Sequence, residues 1–78
     1  MSMKNRQIEI LEFLGHNTTA TKMEIFEGLH WSNWEMTKKL IQHMKFQNLL
    51  QSTKESDPGL NKFSLTVQGA EALQMCGG

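Results

Sequence analysis

Residues 32–50 have the sequence SNWEMTKKLIQHMKFQNLL, in which the side chains repeat with the period of an amphipathic helix. At about 100° per residue, five side chains, four of them apolar, fall on one face. They are Met36, Thr37, Leu40, Ile41 and Met44. Glu35, Lys38, Gln42 and Lys45 point away from that face, with Lys39 on one flank and Trp34 on the other. The stretch predicts a helix over about residues 33–47 with one buried and one solvated side.

The two ends of this predicted helix have their own signals. Ser32 and Glu35 have the spacing of a capping box, in which each side chain bonds the backbone amide of the other residue. Trp31 precedes the cap and can pack on Met36 as a hydrophobic staple. At the other end, Asn48 is expected in the left-handed position that usually belongs to glycine.

A β-hairpin and a last helix are predicted after this helix. Residues 49–54 and 60–65 alternate apolar and polar side chains around an Asp-Pro-Gly turn at residues 57–59. Thr66 is then expected to cap a short helix that carries Val67, Ala70 and Leu73 on its apolar side.

The first part of the chain predicts two more helices. Residues 4–14 form the first, with its apolar face at Ile8, Ile10, Leu11 and Leu14, and residues 15–17 (Gly-His-Asn) are expected to end it. Residues 18–20 suit a short extended stub. Thr21 and Glu24 form a capping box for a second helix that closes at Gly28. A tight turn at residues 30–31 then joins helices 2 and 3 as a helix-turn-helix.

The composition is that of one small domain. The chain has 78 residues, of which 38% are apolar, and its longest apolar run is too short for a membrane span or a secretory signal. We expect order from about residue 4 to residue 74 and fraying at residues 75–78. The single Cys76 cannot form an internal disulfide, so a reducing cytoplasm is the expected location.

The formal net charge is zero, which counts against a strongly electrostatic partner such as nucleic acid. The charges are nevertheless unevenly distributed. Residues 1–35 hold three basic and five acidic side chains, a net −2, whereas residues 36–78 hold five basic and three acidic ones, a net +2. The second half is therefore the part of the chain that suits a phosphate backbone.

The predicted order of helix, stub, helix, helix, strand, strand and helix resembles the winged helix-turn-helix superfamily of DNA-binding domains, a mainly α fold with a small β-hairpin. The resemblance covers residues 4–73. The third helix of that superfamily has a pattern matched here by Thr37, Leu40, Ile41, Met44, Asn48, Leu49 and Leu50. The exit of the hairpin is matched by Phe63, Leu65, Thr66, Gly69 and Leu73. Residues 9–14 also resemble helix 1 of small enterobacterial fimbrial-operon regulators.

The resemblance implies contacts with double-stranded DNA, made by helix 3 in the major groove. The two positions that follow Thr37 contact DNA in such families, and the alternative for them is an ordinary solvated helix face. Gln42 can bond an adenine edge. In the hairpin, an acidic tip at Glu55 and Asp57 argues against deep insertion into the minor groove. The expected DNA-binding residues are Asn33, Trp34, Lys38, Lys39, Gln42, Lys45, Lys54 and Lys62.

Two functions remain open from the sequence. The first is a DNA-binding transcription regulator of a bacterium or phage, acting as a homodimer or with a partner protein. The second is an adaptor or anti-regulator that keeps the winged-helix shape without binding DNA, for which Trp34 would be the exposed contact. Because the histidines and Cys76 lack a metal-ligand spacing and no catalytic constellation is recognisable, we expect neither a metal, nor a cofactor, nor an enzyme.

Overall fold

The computed structural model describes residues 3–77. In that part, the chain forms four α-helices and three short strands. In chain order these are α1 (Met3–Asn17), β1 (Ala20–Thr21), α2 (Lys22–Gly28), α3 (Trp34–Phe46), β2 (Leu50–Ser52), β3 (Lys62–Leu65) and α4 (Val67–Gly77). A single turn of 3-10 helix, Pro58–Leu60, lies between β2 and β3. The predicted fold class, mainly α with a small hairpin, is confirmed.

The three strands form one antiparallel sheet with β3 in the centre. Ala20 of β1 and Ser52 of β2 both pair with Phe63 of β3, one from each side. The stub predicted at residues 18–20 overlaps β1 only at Ala20, because Thr18 is left-handed and the strand continues to Thr21. Both hairpin strands are shorter than predicted, but a further bond from the Thr53 amide to the Lys62 carbonyl, 2.9 Å long, extends their pairing.

A single apolar core joins the helices to the inner side of the sheet. Its buried members are Ile10, Leu11, Leu14, Ala20, Ile25, Leu40, Ile41, Met44, Leu50 and Phe63. Thr37 is fully buried beside them, as the predicted helical face requires. Trp31 is partly buried and packs against the core. Since α2 and β2 pack against α3, its outer side is fixed in direction.

Helix α1 is longer than predicted. It continues through Gly15 to Asn17, and Thr18 takes the left-handed conformation, with φ at 68°. The prediction that residues 15–17 end the helix is therefore wrong. Gly15 serves packing instead, because a Cβ at this position would lie 2.7 Å from Leu73 Cδ2 of α4.

The helix caps match the sequence at three ends and differ at one. Thr21 and Glu24 form the predicted capping box, with bonds of 3.1 and 2.8 Å. Asn48 has a φ of 63°, as expected after α3. Thr66 accepts from the Gly69 amide at 3.0 Å and so caps α4.

At α3, the prediction of a Ser32 cap is wrong. The cap is Asn33, whose Oδ1 accepts from the Met36 amide at 3.0 Å. This shift of one residue puts Ser32 and Thr37 at the two staple positions, and neither is a large apolar side chain. Trp31 and Met36 are therefore not at the staple positions of the observed helix.

The buried side of α4 also differs from the prediction. Val67 is 77% exposed and Ala70 is exposed, whereas Gly69 is buried and Leu73 packs against the core together with Ala72. The helix continues to Gly77, past the predicted limit of order near residue 74, and Gly78 lies outside the described residues. Fraying of this end stays a prediction. Among residues 3–77, no helix combines the length and apolar character that crossing a membrane requires.

Candidate nucleic-acid interface

The outer side of α3 presents four of the eight residues that the sequence singled out. Lys39, Gln42 and Lys45 are exposed, and Lys38 is half-exposed. The opposite side of the same helix is fully buried at Thr37, so these side chains cannot turn toward the core. The helix thus offers polar and basic groups on a surface whose backbone is held rigidly from behind.

Lysine 22, which the sequence analysis did not select, lies beside this surface. It is the first residue of α2, and its Nζ lies 5.9 Å from the centre of the Phe63 ring. An open groove is lined by Lys22, Lys38, Lys39, Gln42, His43 and Phe46. The first helix of a helix-turn-helix crosses the DNA backbone. A lysine at the start of α2 could therefore have been selected from the sequence on this ground.

Asn33 is exposed, but its side chain already has a structural role. Its Oδ1 caps α3, and its backbone carbonyl accepts from both the amide and the Oγ1 of Thr37, at 3.1 and 2.8 Å. A base contact by the Asn33 carboxamide oxygen would therefore compete with the cap. The amide nitrogen of this side chain remains available as a donor.

Trp34 is half-buried and packs on α2. Its ring meets Phe26 edge to face, with 5.2 Å between the ring centres and 72° between the planes. The ring therefore packs on a neighbouring helix and is not the fully exposed contact that the sequence suggested. Lys38 Nζ lies 5.7 Å from the centre of the Trp34 ring, so the indole also supports a lysine of the outer side.

Lys38 is also held by an ion pair. Its Nζ lies 3.0 Å from Oε1 of Glu35, one turn earlier on α3, and the two side chains are 37% and 73% exposed. A surface pair of this kind contributes less than about 1 kcal/mol to stability. Its importance here is positional, because it brings a carboxylate next to the lysines.

The hairpin loop is organised by its own polar side chains. The Glu55 amide donates to Asn61 Oδ1 at 2.7 Å, and the Lys62 amide donates to Thr53 Oγ1 at 3.0 Å. Asp57 accepts from the Gly59 amide at 3.0 Å, so one of the two acids of the tip has a structural role. This arrangement gives the loop a defined shape.

The hairpin also lies close to the two helices. Thr21, the cap of α2, pairs with Lys62, and Gly59 of the loop helps to line a groove with Trp34 and Lys38 of α3. Lys54 and Lys62 are both exposed. The structure thus brings the wing, the start of α2 and the first half of α3 together at one end of the molecule.

Arg6 of α1 supports α3 from the opposite flank. Its guanidinium lies 5.7 Å from the centre of the Trp31 ring and donates to Met36 Sδ at 3.0 Å. This arginine is therefore occupied by packing. Within residues 3–77, no three His, Cys, Asp or Glu side chains are grouped so that they could hold a metal ion.

Two helices joined by a tight turn, a third strand from the stub and a hairpin that returns beside α3 define the winged helix-turn-helix class. Solved structures with the same fold are MarR-family winged-helix transcription regulators, which confirms the resemblance drawn from the sequence. The narrower likeness to fimbrial-operon regulators stays a prediction.

Three of these structures illustrate the similarity. A ZitR variant from Lactococcus lactis in apo form has a TM-score of 0.80 and 22% identity, over 96% of this chain and 56% of that one. The oxidised form of MarR from E. coli has a TM-score of 0.78 and 13% identity, over 90% and 49%. The adhesin competence repressor AdcR from Streptococcus pyogenes has a TM-score of 0.77 and 25% identity, over 91% and 52%.

The protein therefore spans about half the length of the structures that it matches. No protein-family model matches the chain, and no curated protein matches it in sequence. The similarity thus establishes the fold, and the function has to be argued from the surface of α3 and the wing.

Proposed function

We propose that the protein is a DNA-binding transcription regulator that places α3 in the major groove and the hairpin of residues 54–62 near the phosphate backbone. The observation that carries this proposal is the groove in which Lys22 of α2 meets Lys38, Lys39 and Gln42 of α3. These side chains come from the two helices of a helix-turn-helix, and both helices contact duplex DNA in that motif.

The charge of this surface supports an anionic partner. The first residue of α2, helix α3 and residues 53–62 together hold six lysines and three acids, a net +3, in a chain whose formal net charge is zero. The six lysines are Lys22, Lys38, Lys39, Lys45, Lys54 and Lys62. A local excess of this kind attracts phosphate even when the whole protein is neutral.

The dimensions of α3 suit the groove. Its 13 residues extend over about 20 Å, and a helix fits the major groove, which is about 12 Å wide. Lys38 and Lys39 lie in the second turn of the helix and Gln42 in the third, and in the proposed pose these turns face the bases. In this pose, Lys54 and Lys62 at the base of the wing contact phosphates, and Gln42 is placed to bond an adenine edge.

The expected affinity of one copy is low. About four or five phosphate contacts predict a slope near −4 for the logarithm of the binding constant against the logarithm of the salt concentration. We therefore propose that two copies occupy adjacent half-sites as a homodimer, or that a partner protein supplies further contacts. The protein would act in the cytoplasm of a bacterium or in a phage-infected cell.

The alternative function, an adaptor or anti-regulator that does not bind DNA, is motivated by the zero net charge, the acidic wing tip and an exposed indole at Trp34. In the structure that ring is half-buried, meets Phe26 edge to face and lies beneath the ammonium of Lys38. It therefore offers a protein partner less apolar surface than the sequence predicted. A stable complex with another protein that forms without DNA and is lost with Trp34→Ala would restore this alternative.

Fluorescence anisotropy with a labelled duplex at several salt concentrations tests the proposal. We expect the double substitution Lys38→Ala/Lys39→Ala to weaken binding at least tenfold in low salt and to flatten the salt slope by about 1 for each of the two lysines that contacts a phosphate. His16→Ala, an exposed substitution on α1, is the control and should change neither quantity. Unchanged affinity and slope in a folded double variant would reject the proposal.

A further inference from the structure

Glu35 occupies an unexpected place for an acid on this surface. It lies in the first turn of α3, on the side opposite the core, and its side chain is 73% exposed. An acid in a first turn is favoured by the helix dipole, which accounts for its presence in the turn but not for its position on the outer side. Facing DNA, its charge repels phosphate and weakens binding to every sequence alike.

The carboxylate is held by a connected series of side chains. Phe26 of α2 packs on the Trp34 ring, that ring lies 5.7 Å from Lys38 Nζ, and Lys38 Nζ lies 3.0 Å from Glu35 Oε1. The series begins in the packed contact between α2 and α3 and ends at an exposed oxygen. The ion pair therefore favours one position of the Glu35 carboxylate, beside Lys38 Nζ.

The chemistry of the base edges selects one partner for such a group. A carboxylate only accepts hydrogen bonds. In the major groove, guanine presents two acceptors and thymine an acceptor and a methyl group, whereas adenine has an acceptor beside its donor. Cytosine presents an amino donor alone, so it is the base whose edge meets a carboxylate without a repelling acceptor.

We propose that Glu35 is a specificity-determining residue that accepts a hydrogen bond from the exocyclic amino group of a cytosine, and that Lys38 positions its carboxylate. The inference rests on the proposed function, because it requires α3 to lie in the major groove. Lys38 has further donors, which reach the acceptors of the guanine paired with that cytosine. The ion pair of the free protein thus matches the two edges of one G·C pair.

The test is a selection from a random duplex library with the wild-type protein and with Glu35→Gln and Glu35→Ala. We expect a cytosine at a fixed position of the wild-type sites and the loss of that preference in both variants. Glu12→Gln, an exposed substitution on α1, removes the same charge elsewhere and should keep the cytosine. Because Glu35 is largely exposed, circular dichroism should show both of its variants to be folded.

A second measurement tests how much the exocyclic amino group of the cytosine contributes to the affinity. In a selected duplex, the cytosine is replaced by 2-pyrimidinone, which lacks only that group. Wild-type affinity should fall about 5- to 100-fold, the range of a good base contact, while the affinity of Glu35→Ala should be unchanged by the replacement.

The failures of the two proposals are distinguishable. If the wild-type protein selects no sequences and binds no duplex, the proposed DNA-binding function fails, and this inference fails with it. If the wild-type protein binds DNA but selects no cytosine, or if the variants keep the preference, only the role of Glu35 is overturned. A uniform rise in affinity for all sequences in Glu35→Ala, with an unchanged preference, would show that the carboxylate acts by charge alone.

Discussion

The two sides of α3 have the same backbone but differ in what determines them. On the inner side, Ile41 and Met44 are fully buried and their neighbours belong to the same chain. On the outer side, Lys39 and Gln42 are exposed, and within residues 3–77 neither side chain is part of a hydrogen bond or an ion pair. The inner side is thus determined by folding. The residues of the outer side are explained by contacts with a partner. The following predictions test this difference between the two sides of α3.

The largest expected effect lies on the inner side, at Ile41. Replacing this fully buried residue with alanine removes apolar contacts and leaves a cavity, so Ile41→Ala should lower the free energy of unfolding by about 3 kcal/mol. Gln42→Ala, the next residue on the same helix, should change it by less than about 0.5 kcal/mol. Urea denaturation followed by circular dichroism measures both.

Equal losses in the free energy of unfolding for these two substitutions would contradict this difference between the inner and outer sides of α3. The DNA affinity should show the reverse order when both proteins are compared under conditions in which they are folded. Gln42→Ala should then weaken binding, and the folded fraction of Ile41→Ala should bind nearly as the wild-type protein does.

A smaller effect is expected at the start of α3, where the sequence and the structure disagree about the cap. Asn33→Ala should lower the free energy of unfolding by about 1 kcal/mol, because the Met36 amide loses its acceptor. Ser32→Ala is the matched control and should have almost no effect, since Ser32 is exposed and does not cap the helix. If Ser32→Ala were the more damaging of the two, the cap would be the one that the sequence predicted.

The smallest effect is expected at Thr37, the buried polar residue of the inner side. Its Oγ1 donates to the Asn33 carbonyl, but that carbonyl also accepts from the Thr37 amide at 3.1 Å. Thr37→Val should therefore change the free energy of unfolding by less than about 0.5 kcal/mol, because the carbonyl keeps a donor and the site stays filled. Thermal and urea unfolding measure the change, and a loss above about 1.5 kcal/mol would show that the hydroxyl is required.

The elements that the sequence predicted well are those set by local rules. The inner side of α3 follows from helical periodicity, and the Thr21 and Thr66 caps follow from side chains that reach amides three residues away. Asn48 was expected in the left-handed conformation because it tolerates that region, and its φ of 63° agrees.

Two of the wrong predictions, at Gly15 and in α4, share a cause, which is that tertiary contacts override local signals. Gly15 read as a helix stop, yet its missing side chain makes room for Leu73 of α4 while Thr18 ends the helix. Ser32 and Asn33 are both good caps, and the sequence alone could not choose between neighbours. Val67, Ala70 and Leu73 fit an apolar stripe, but of these three only Leu73 packs against the core, and Gly69 is buried while Val67 and Ala70 are exposed.

The candidate site was predictable only in its basic character. The lysines of α3 and of the wing could be selected from the sequence, but not their neighbours in space. Lys22 joins the surface through the packing of α2 on α3, and Glu35 became a candidate only when its ion pair with Lys38 was seen. The contact of these side chains with DNA stays a prediction.

The central claim is that the outer side of α3 is a DNA surface, and a chemical-shift map tests it most directly. The 15N-labelled protein is titrated with a mixed-sequence duplex in low salt, and amide shifts are followed residue by residue. We predict shifts confined to residues 33–45, to Lys22 at the start of α2, and to the base of the wing at Lys54 and Lys62. An unchanged spectrum, or shifts confined to α1 and α4, would contradict the account.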